Sequence, residues 1–314
     1  MRVQVVDPPA YTPPYDRSLC AALARRGAEV ELVTSRFTHG PVPAADGYRV
    51  SEQFGADPHP SRLRKGVAHL AGMARHRLRS DPADVVHYQW LPVPGLDRRL
   101  LAPVRPRVMT AHGVLRADDL ERRLARGLGA LLERMDAVVT LSEHGARRLR
   151  DAGIAPDRVR TIPHGAFDYL TRLPDEDPLP GDLAAVDGPV ILCFGLIRPY
   201  KGVDVLVEAF SDLDGAELWV VGRPLGMTID GLRAQAERAP GRVRFVPRFL
   251  PDSELPAYFR RADLVVLPYR DAEQSGVLFA ALAFGKPIVM SDVGGFSEVA
   301  ALGAGRLVPP GDPE

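Results

Sequence analysis

The 314-residue chain is 46% hydrophobic and 25% charged, with 40 basic and 40 acidic side chains, the composition of a globular protein large enough for two domains. No uncharged run reaches the length of a membrane span, and the opening MRVQVVDPP enters a strand pattern with no secretory apolar core, so a cytoplasmic protein is expected. The two cysteines, Cys20 and Cys193, lie in apolar segments of different halves without metal-ligand spacing and read as buried small hydrophobes.

Along the chain, apolar runs at 3–6, 30–34, 85–87, 108–111 and 137–141 read as strands, alternating with helical patterns such as 18–26 and 120–134. That alternation predicts an α/β fold with a doubly wound, mostly parallel sheet. Residues 1–170 are assigned to this Rossmann-like domain and 171–188, rich in Pro, Gly and Asp, to a linker. A second domain, 189–314, repeats the alternation, with strands at 190–194, 218–221, 243–246, 264–267 and 288–291 and helices near 203–211, 230–238 and 252–261. Two such domains facing across a cleft are expected, with ligands outside the carboxyl ends of the strands. The chain stops at GRLVPPGDPE, where a closing helix is expected, so the second domain reads as truncated.

Charge is uneven. Residues 1–172 carry an excess of eight positive charges and 173–314 an excess of eight negative ones, which predicts that the first half meets something anionic. Residues 62–79, RLRKGVAHLAGMARHRLR, put Leu63, Val67, Leu70, Ala74 and Leu78 on one helical stripe, with Arg64, Lys65, Arg75, Arg77 and Arg79 among the rest. Such a helix either lies on anionic lipid or packs on its own sheet with a solvated basic face; Gly66 and Gly72 favour the second reading.

The first strand is followed by DPPAYTPPYDRSL, without the glycines of a dinucleotide fold, and no phosphate-binding P-loop occurs. Asp175, Glu176 and Asp177 sit in the Pro-rich stretch as a solvated charge run, so neither metal nor cofactor is predicted. Chemistry concentrates in the second half. FGLIRPYKG places Arg198 and Lys201 after a strand and ahead of a helix, where a fork-shaped and a point cation converge; the alternative is a pair of solvent-facing loop residues. Farther on, an uncharged helix near 276–284 follows the polar loop 271–275. Its first amides, at Ser275, Gly276 and Val277, either hold an anion or open an ordinary core helix.

Together FGLIRPYKG, LPYRDAEQSGVLFAALAFGKPIVMSDVGGFSEV, VVTLSEHGARRL…VRTIPHGAFD, VVHYQW and VMTAHG resemble the retaining GT-B glycosyltransferases of family 4, over nearly the whole chain. The resemblance implies transfer of a sugar from a nucleotide-sugar donor to a hydroxyl acceptor, with retention and without a metal. It assigns catalytic roles to Arg198 and Lys201 on the diphosphate, to His112 facing the donor sugar and to Glu273 on the sugar. Donor binding falls to Gln274, Ser275, Gly276 and Val277, with Arg248 and Phe249 in a stretch similar to the loop that packs the nucleobase. One departure stands out. The family has a second glutamate for the ribose hydroxyls, and this chain has Ala280 or Ala281 there, depending on the register. The acceptor is left open among a glycan, a lipid-linked group and a small molecule, with peripheral contact at the inner membrane face through 62–79 and no nucleic-acid partner. Two rival functions remain: a non-catalytic sugar-nucleotide-binding relative, and an epimerase-like enzyme using His112 and Glu273 as acid and base.

Overall fold

A computed structural model describes residues 1–38, 40–55, 61–79, 83–112 and 127–314, the side chains of Arg62 and Arg79 excepted. The chain divides into two compact units, Met1–Pro163 and His164–Glu314.

The first unit holds β1 (Arg2–Asp7), β2 (Glu29–Ser35), β3 (Arg49–Phe54), β4 (Val85–Tyr88), β5 (Arg107–Thr110), β6 (Ala137–Thr140) and β7 (Val159–Thr161). All pair in parallel, in the order β3-β2-β1-β4-β5-β6-β7. The described helices of this unit are α1 (Pro13–Arg25), α2 (Arg62–Arg79), α3 (Pro94–Leu100), α4 (Leu128–Leu132) and α5 (Glu143–Asp151). Part of the expected helix at 120–134 lies outside the described residues. The central strands read VVHY or AVVT because both faces of a parallel sheet are covered, and Val5, Val6, Val86, Tyr88 and Val138 have no exposed surface. Local signals set the helix starts: Pro occupies the first turn of α1 and α3, and the Ser142 hydroxyl caps α5 by accepting from the Gly145 amide at 3.0 Å.

The second unit repeats the plan with β8 (Val190–Phe194), β9 (Glu217–Val221), β10 (Arg242–Val246), β11 (Leu264–Leu267), β12 (Ile288–Ser291) and β13 (Arg306–Val308), in the parallel order β10-β9-β8-β11-β12-β13. Its helices are α6 (Gly181–Ala184), α7 (Val203–Phe210), α8 (Asp230–Ala236), α9 (Leu255–Arg261), α10 (Gly276–Ala283) and α11 (Phe296–Ala300). The stretch 171–188, read as a linker, includes α6 and is tied into this unit: the Asp177 amide donates to Ser253 O at 2.9 Å and Arg260 pairs with Glu176 at 2.6 Å. In both units the chain winds outward over three strands and returns to the far side of the first. The crevice at that reversal, outside the ends of β1 and β4 or of β8 and β11, is where such sheets bind ligands.

The α2 helix corrects the expected packing face. His69, Gly72, Met73 and His76 turn inward, while Leu63, Val67 and Leu78 of the apolar stripe are 78%, 62% and 84% exposed. Small residues decide it. A Cβ on Gly72 would lie 2.4 Å from Phe54 Cδ1, so the helix approaches β3 on its glycine side, and His69 Nε2 meets the buried Asp97 carboxylate at 2.6 Å. Of the stripe predicted to pack, Leu70 and Ala74 are half-buried and the other three residues are left uncovered.

Candidate functional site

The second unit's crevice is assembled from the β8–α7 loop, the β11–α10 loop and the first turn of α10. Lys201 ends a 3-10 turn, Pro199–Lys201, and Gly202 follows with φ +62°, a conformation that favours glycine. A Cβ there would lie 1.9 Å from the Pro268 carbonyl oxygen, so the absence of a side chain lets the loop press against the end of β11. The Lys201 side chain, only 8% exposed, runs back under Gly195, where a Cβ would sit 2.8 Å from its Nζ and 3.0 Å from Val277 Cγ2. The ammonium lies 4.8 Å from the centre of the Tyr269 ring. Burial holds the Lys201 pKa below its ordinary value, and the Arg198 charge pushes the same way.

The β11–α10 loop carries the acidic partner. Glu273 is 5% exposed, and its backbone oxygen accepts from the Gly295 amide at 3.1 Å. Gly294, at φ +54°, has no room for a Cβ, which would fall 1.6 Å from Ala272 O. The Gly-Gly turn after β12 is thus the shelf that holds Glu273. The Tyr269 hydroxyl meets Ser275 Oγ at 3.1 Å, and burial pushes the Tyr269 pKa well up. Helix α10 buries Leu278, Phe279, Ala280 and Ala281 but leaves Gly276 exposed. Its first amides therefore open at the crevice with the positive end of the helix dipole behind them. Arg270 braces the whole: its guanidinium grips the Asp204 carboxylate at 2.6 and 2.7 Å and donates to Pro199 O at 3.0 Å. That pairing holds the Asp204 carboxyl below the usual carboxylate range.

In the first unit His112 follows β5. Gln89 Oε1 accepts from its Nε2 at 2.7 Å, the Trp90 indole stacks on it at 5.3 Å and the Tyr15 ring meets it edge-on at 4.6 Å. That hydrogen bond puts a proton on Nε2, because an amide oxygen can only accept. Trp90 is fixed in turn by donating from Nε1 to Thr12 Oγ1 at 3.1 Å, so the β1–α1 and β4–α3 loops share one aromatic cluster.

Residues 16–166 match the family described as Glycosyltransferase Family 4 and 188–314 match Glycosyl transferases group 1. The chain is 30% identical to the D-inositol 3-phosphate glycosyltransferase of Xylanimonas cellulosilytica over 323 residues, covering 91% of this chain and 76% of that one. It belongs to glycosyltransferase family 4. Two solved structures show the same fold. Sucrose-phosphate synthase from Thermosynechococcus elongatus superposes with a TM-score of 0.76 at 22% identity, over 100% of this chain and 87% of that one. Anabaena HepE in complex with UDP-glucose gives 0.71 at 20%, over 100% and 86%. The architecture is therefore GT-B, and the protein is a glycosyltransferase.

Of the residues singled out in this glycosyltransferase, the second unit brings Arg198, Lys201, Glu273, Gln274, Ser275, Gly276 and Val277 to the ends of β8 and β11, while His112 belongs to the first unit. Arg248 and Phe249 follow β10, and the Arg248 guanidinium is engaged by Glu254, with Nη1 2.8 Å from Oε1. Three contributors escaped the pattern reading. Tyr269 and Gln89 stand inside the segments LPYRD and VVHYQW, but nothing in residue type marks a ring beneath an ammonium or an amide beside an imidazole. Trp90 is seen only once the aromatic cluster is formed.

Proposed function

We propose that this chain transfers a sugar from a nucleotide-sugar donor to a hydroxyl acceptor, with retention at the anomeric carbon and without a metal. The observation that carries the reading is the buried Lys201 ammonium, set beside Arg198 and the opening turn of α10 at the second unit's crevice. A buried cation with a lowered pKa is stabilised when an anion arrives, and a diphosphate gains charge as its bond to the sugar breaks. Guanidinium, ammonium and helix amides supply at this point the positive charge that other transferases take from a divalent ion. The UDP-glucose held by HepE supports a nucleotide-sugar donor here as well. His112 would face the donor sugar and Glu273 would contact its hydroxyls. Because Ala280 and Ala281 stand where the family's ribose glutamate belongs, donor affinity is expected to fall by about 1.5–3 kcal/mol unless another group contributes.

Thermal stabilisation by UDP, GDP, ADP and their sugar conjugates tests this, with Arg198→Ala and Lys201→Ala alongside. One nucleotide should raise the melting temperature of the wild type and of neither variant. A protein that responds to no nucleotide would be a fold relative without this donor chemistry. Transfer in excess chelator, with the product's anomeric configuration read by NMR, tests retention and metal independence. We also propose that the α2 face makes peripheral contact with anionic lipid, since Leu63, Val67 and Leu78 are exposed beside Arg64, Lys65 and Arg75.

A further inference from the structure

Several arginines of the second unit already have a carboxylate partner. Arg244, Arg248, Arg260, Arg261 and Arg270 each face a carboxylate, those of Glu217, Glu254, Glu176, Asp263 and Asp204. Arg198 and Arg223 are different. Among the described residues neither makes an ion pair, and each has a buried Nε that meets no hydrogen-bond acceptor. A buried charged donor left without an acceptor is costly, so an acceptor supplied from outside the chain would be bound strongly.

The backbone brings the two together. Ile197 donates its amide to Arg223 O at 3.0 Å and accepts from the Leu225 amide at 2.9 Å, which makes a one-residue parallel bridge between Ile197 and Pro224 beyond the ends of β8 and β9. Paired residues share a face and their chain neighbours take the other. Ile197, 2% exposed, belongs to the core of the unit, so Arg198 and Arg223 both take the opposite face, on a diagonal: Arg198 is level with Leu225 and Arg223 with Leu196. Lys201 is close enough to Arg198 for the guanidinium charge to disfavour its proton.

We infer that Arg223 is a second guanidinium of the diphosphate site: Arg198 and Arg223 present two planar forks on a diagonal of one face to the phosphates of the donor, and Lys201 completes a three-cation cradle. The inference rests on the donor reading above and adds to it the residue that answers the second phosphate. Three cations match a nucleoside diphosphate better than a monophosphate, because the charge is set out over two forks rather than one. Phe194 and Gly195 lead into this face from β8 and Gly222 from β9, and no carboxylate lies among these residues or on 196–201 and 223–225.

Isothermal titration with inorganic pyrophosphate tests the cradle without depending on nucleobase or sugar. Wild type should bind it, Arg223→Ala should weaken binding at least tenfold, and Arg223→Lys should recover part of the loss. Melting temperatures without ligand should stay within a degree or two of wild type. Salt should weaken binding to wild type more steeply than to Arg223→Ala, a difference that a merely structural arginine would not produce. If Arg223→Ala binds pyrophosphate like wild type while Arg198→Ala does not, Arg223 is no part of the site and the donor reading stands. If nucleotides bind to wild type and pyrophosphate does not, the cradle is wrong. Failure of both probes on wild type overturns the donor reading itself.

Discussion

Asp7, at the end of β1, and Asp16, in the first turn of α1, are fully buried and close enough for each carboxyl to act on the other. Two carboxylates cannot both ionise there. Burial raises Asp7 to about 6 and Asp16 well above its ordinary value, so the pair keeps a proton that the unfolded chain gives up near pH 4. Raised folded-state values mean that this stability is complete below pH 4 and is lost as pH climbs through 6. Asp7→Asn replaces the shared proton with an amide. Urea denaturation should show the variant gaining on wild type between pH 5 and pH 8, by on the order of 2 kcal/mol; equal destabilisation at both pH values would rule out the shared proton. Gln89 works at the same scale on chemistry. Its oxygen fixes the proton on Nε2 of His112. Gln89→Glu keeps the acceptor and adds a charge that favours imidazolium, so the acid limb of the rate profile should move to higher pH. Gln89→Leu should lower kcat with little change in donor KM. An unmoved acid limb in the Glu variant would show that His112 does not titrate in the rate-limiting step.

At the scale of elements, the second unit's crevice depends on loops that touch through glycine. Arg270 ties the β11–α10 loop to Asp204 of α7, but both partners are more than 40% exposed, and such a pair contributes about 0.2–1 kcal/mol. Gly202 matters more. An alanine there carries the left-handed penalty of about 1–2 kcal/mol and must also displace the Pro268 carbonyl. Urea midpoints should therefore rank Gly202→Ala below Arg270→Ala, and donor KM should rise in both; the reverse order would mean that the loop is held by its ion pair. The glycines were legible as letters in RPYKG and VGGFSE, and their purpose was not, because it lies in the carbonyls they admit. Strands show the same limit. Those that sit in mid-sheet as apolar runs could be read, whereas β3, RVSEQF, is an edge strand with few apolar positions and β7 has three residues. The α2 stripe misled because an apolar row normally marks the packed face, and here glycine and histidine pack instead.

For the whole molecule, alternation of strand and helix was enough to read two doubly wound sheets, and Arg198 and Lys201 could be placed after β8 because cations at a strand end in such a sheet have an address. His112 had no such address and rested on resemblance alone. Charge is the remaining molecular property, and it points to a surface. The excess of positive charge in residues 1–172 coincides with the uncovered apolar face of α2, on which Leu63, Val67 and Leu78 stand beside Arg64, Lys65 and Arg75. Among the described residues no helix is long and apolar enough to cross a membrane, and the contact proposed for α2 is a peripheral one. Basic residues near an anionic bilayer contribute about 1 kcal/mol each and apolar side chains add burial, a combination that requires both lipid charge and the exposed leucines. The protein should therefore sediment with phosphatidylglycerol-containing vesicles and not with pure phosphatidylcholine, and salt should release it. Leu63→Ser, Val67→Ser and Leu78→Ser together should abolish binding without lowering the melting temperature, because these side chains are exposed. Retention of that triple variant on anionic vesicles would assign the attraction to net charge alone, and equal binding to neutral vesicles would remove the electrostatic half of the argument.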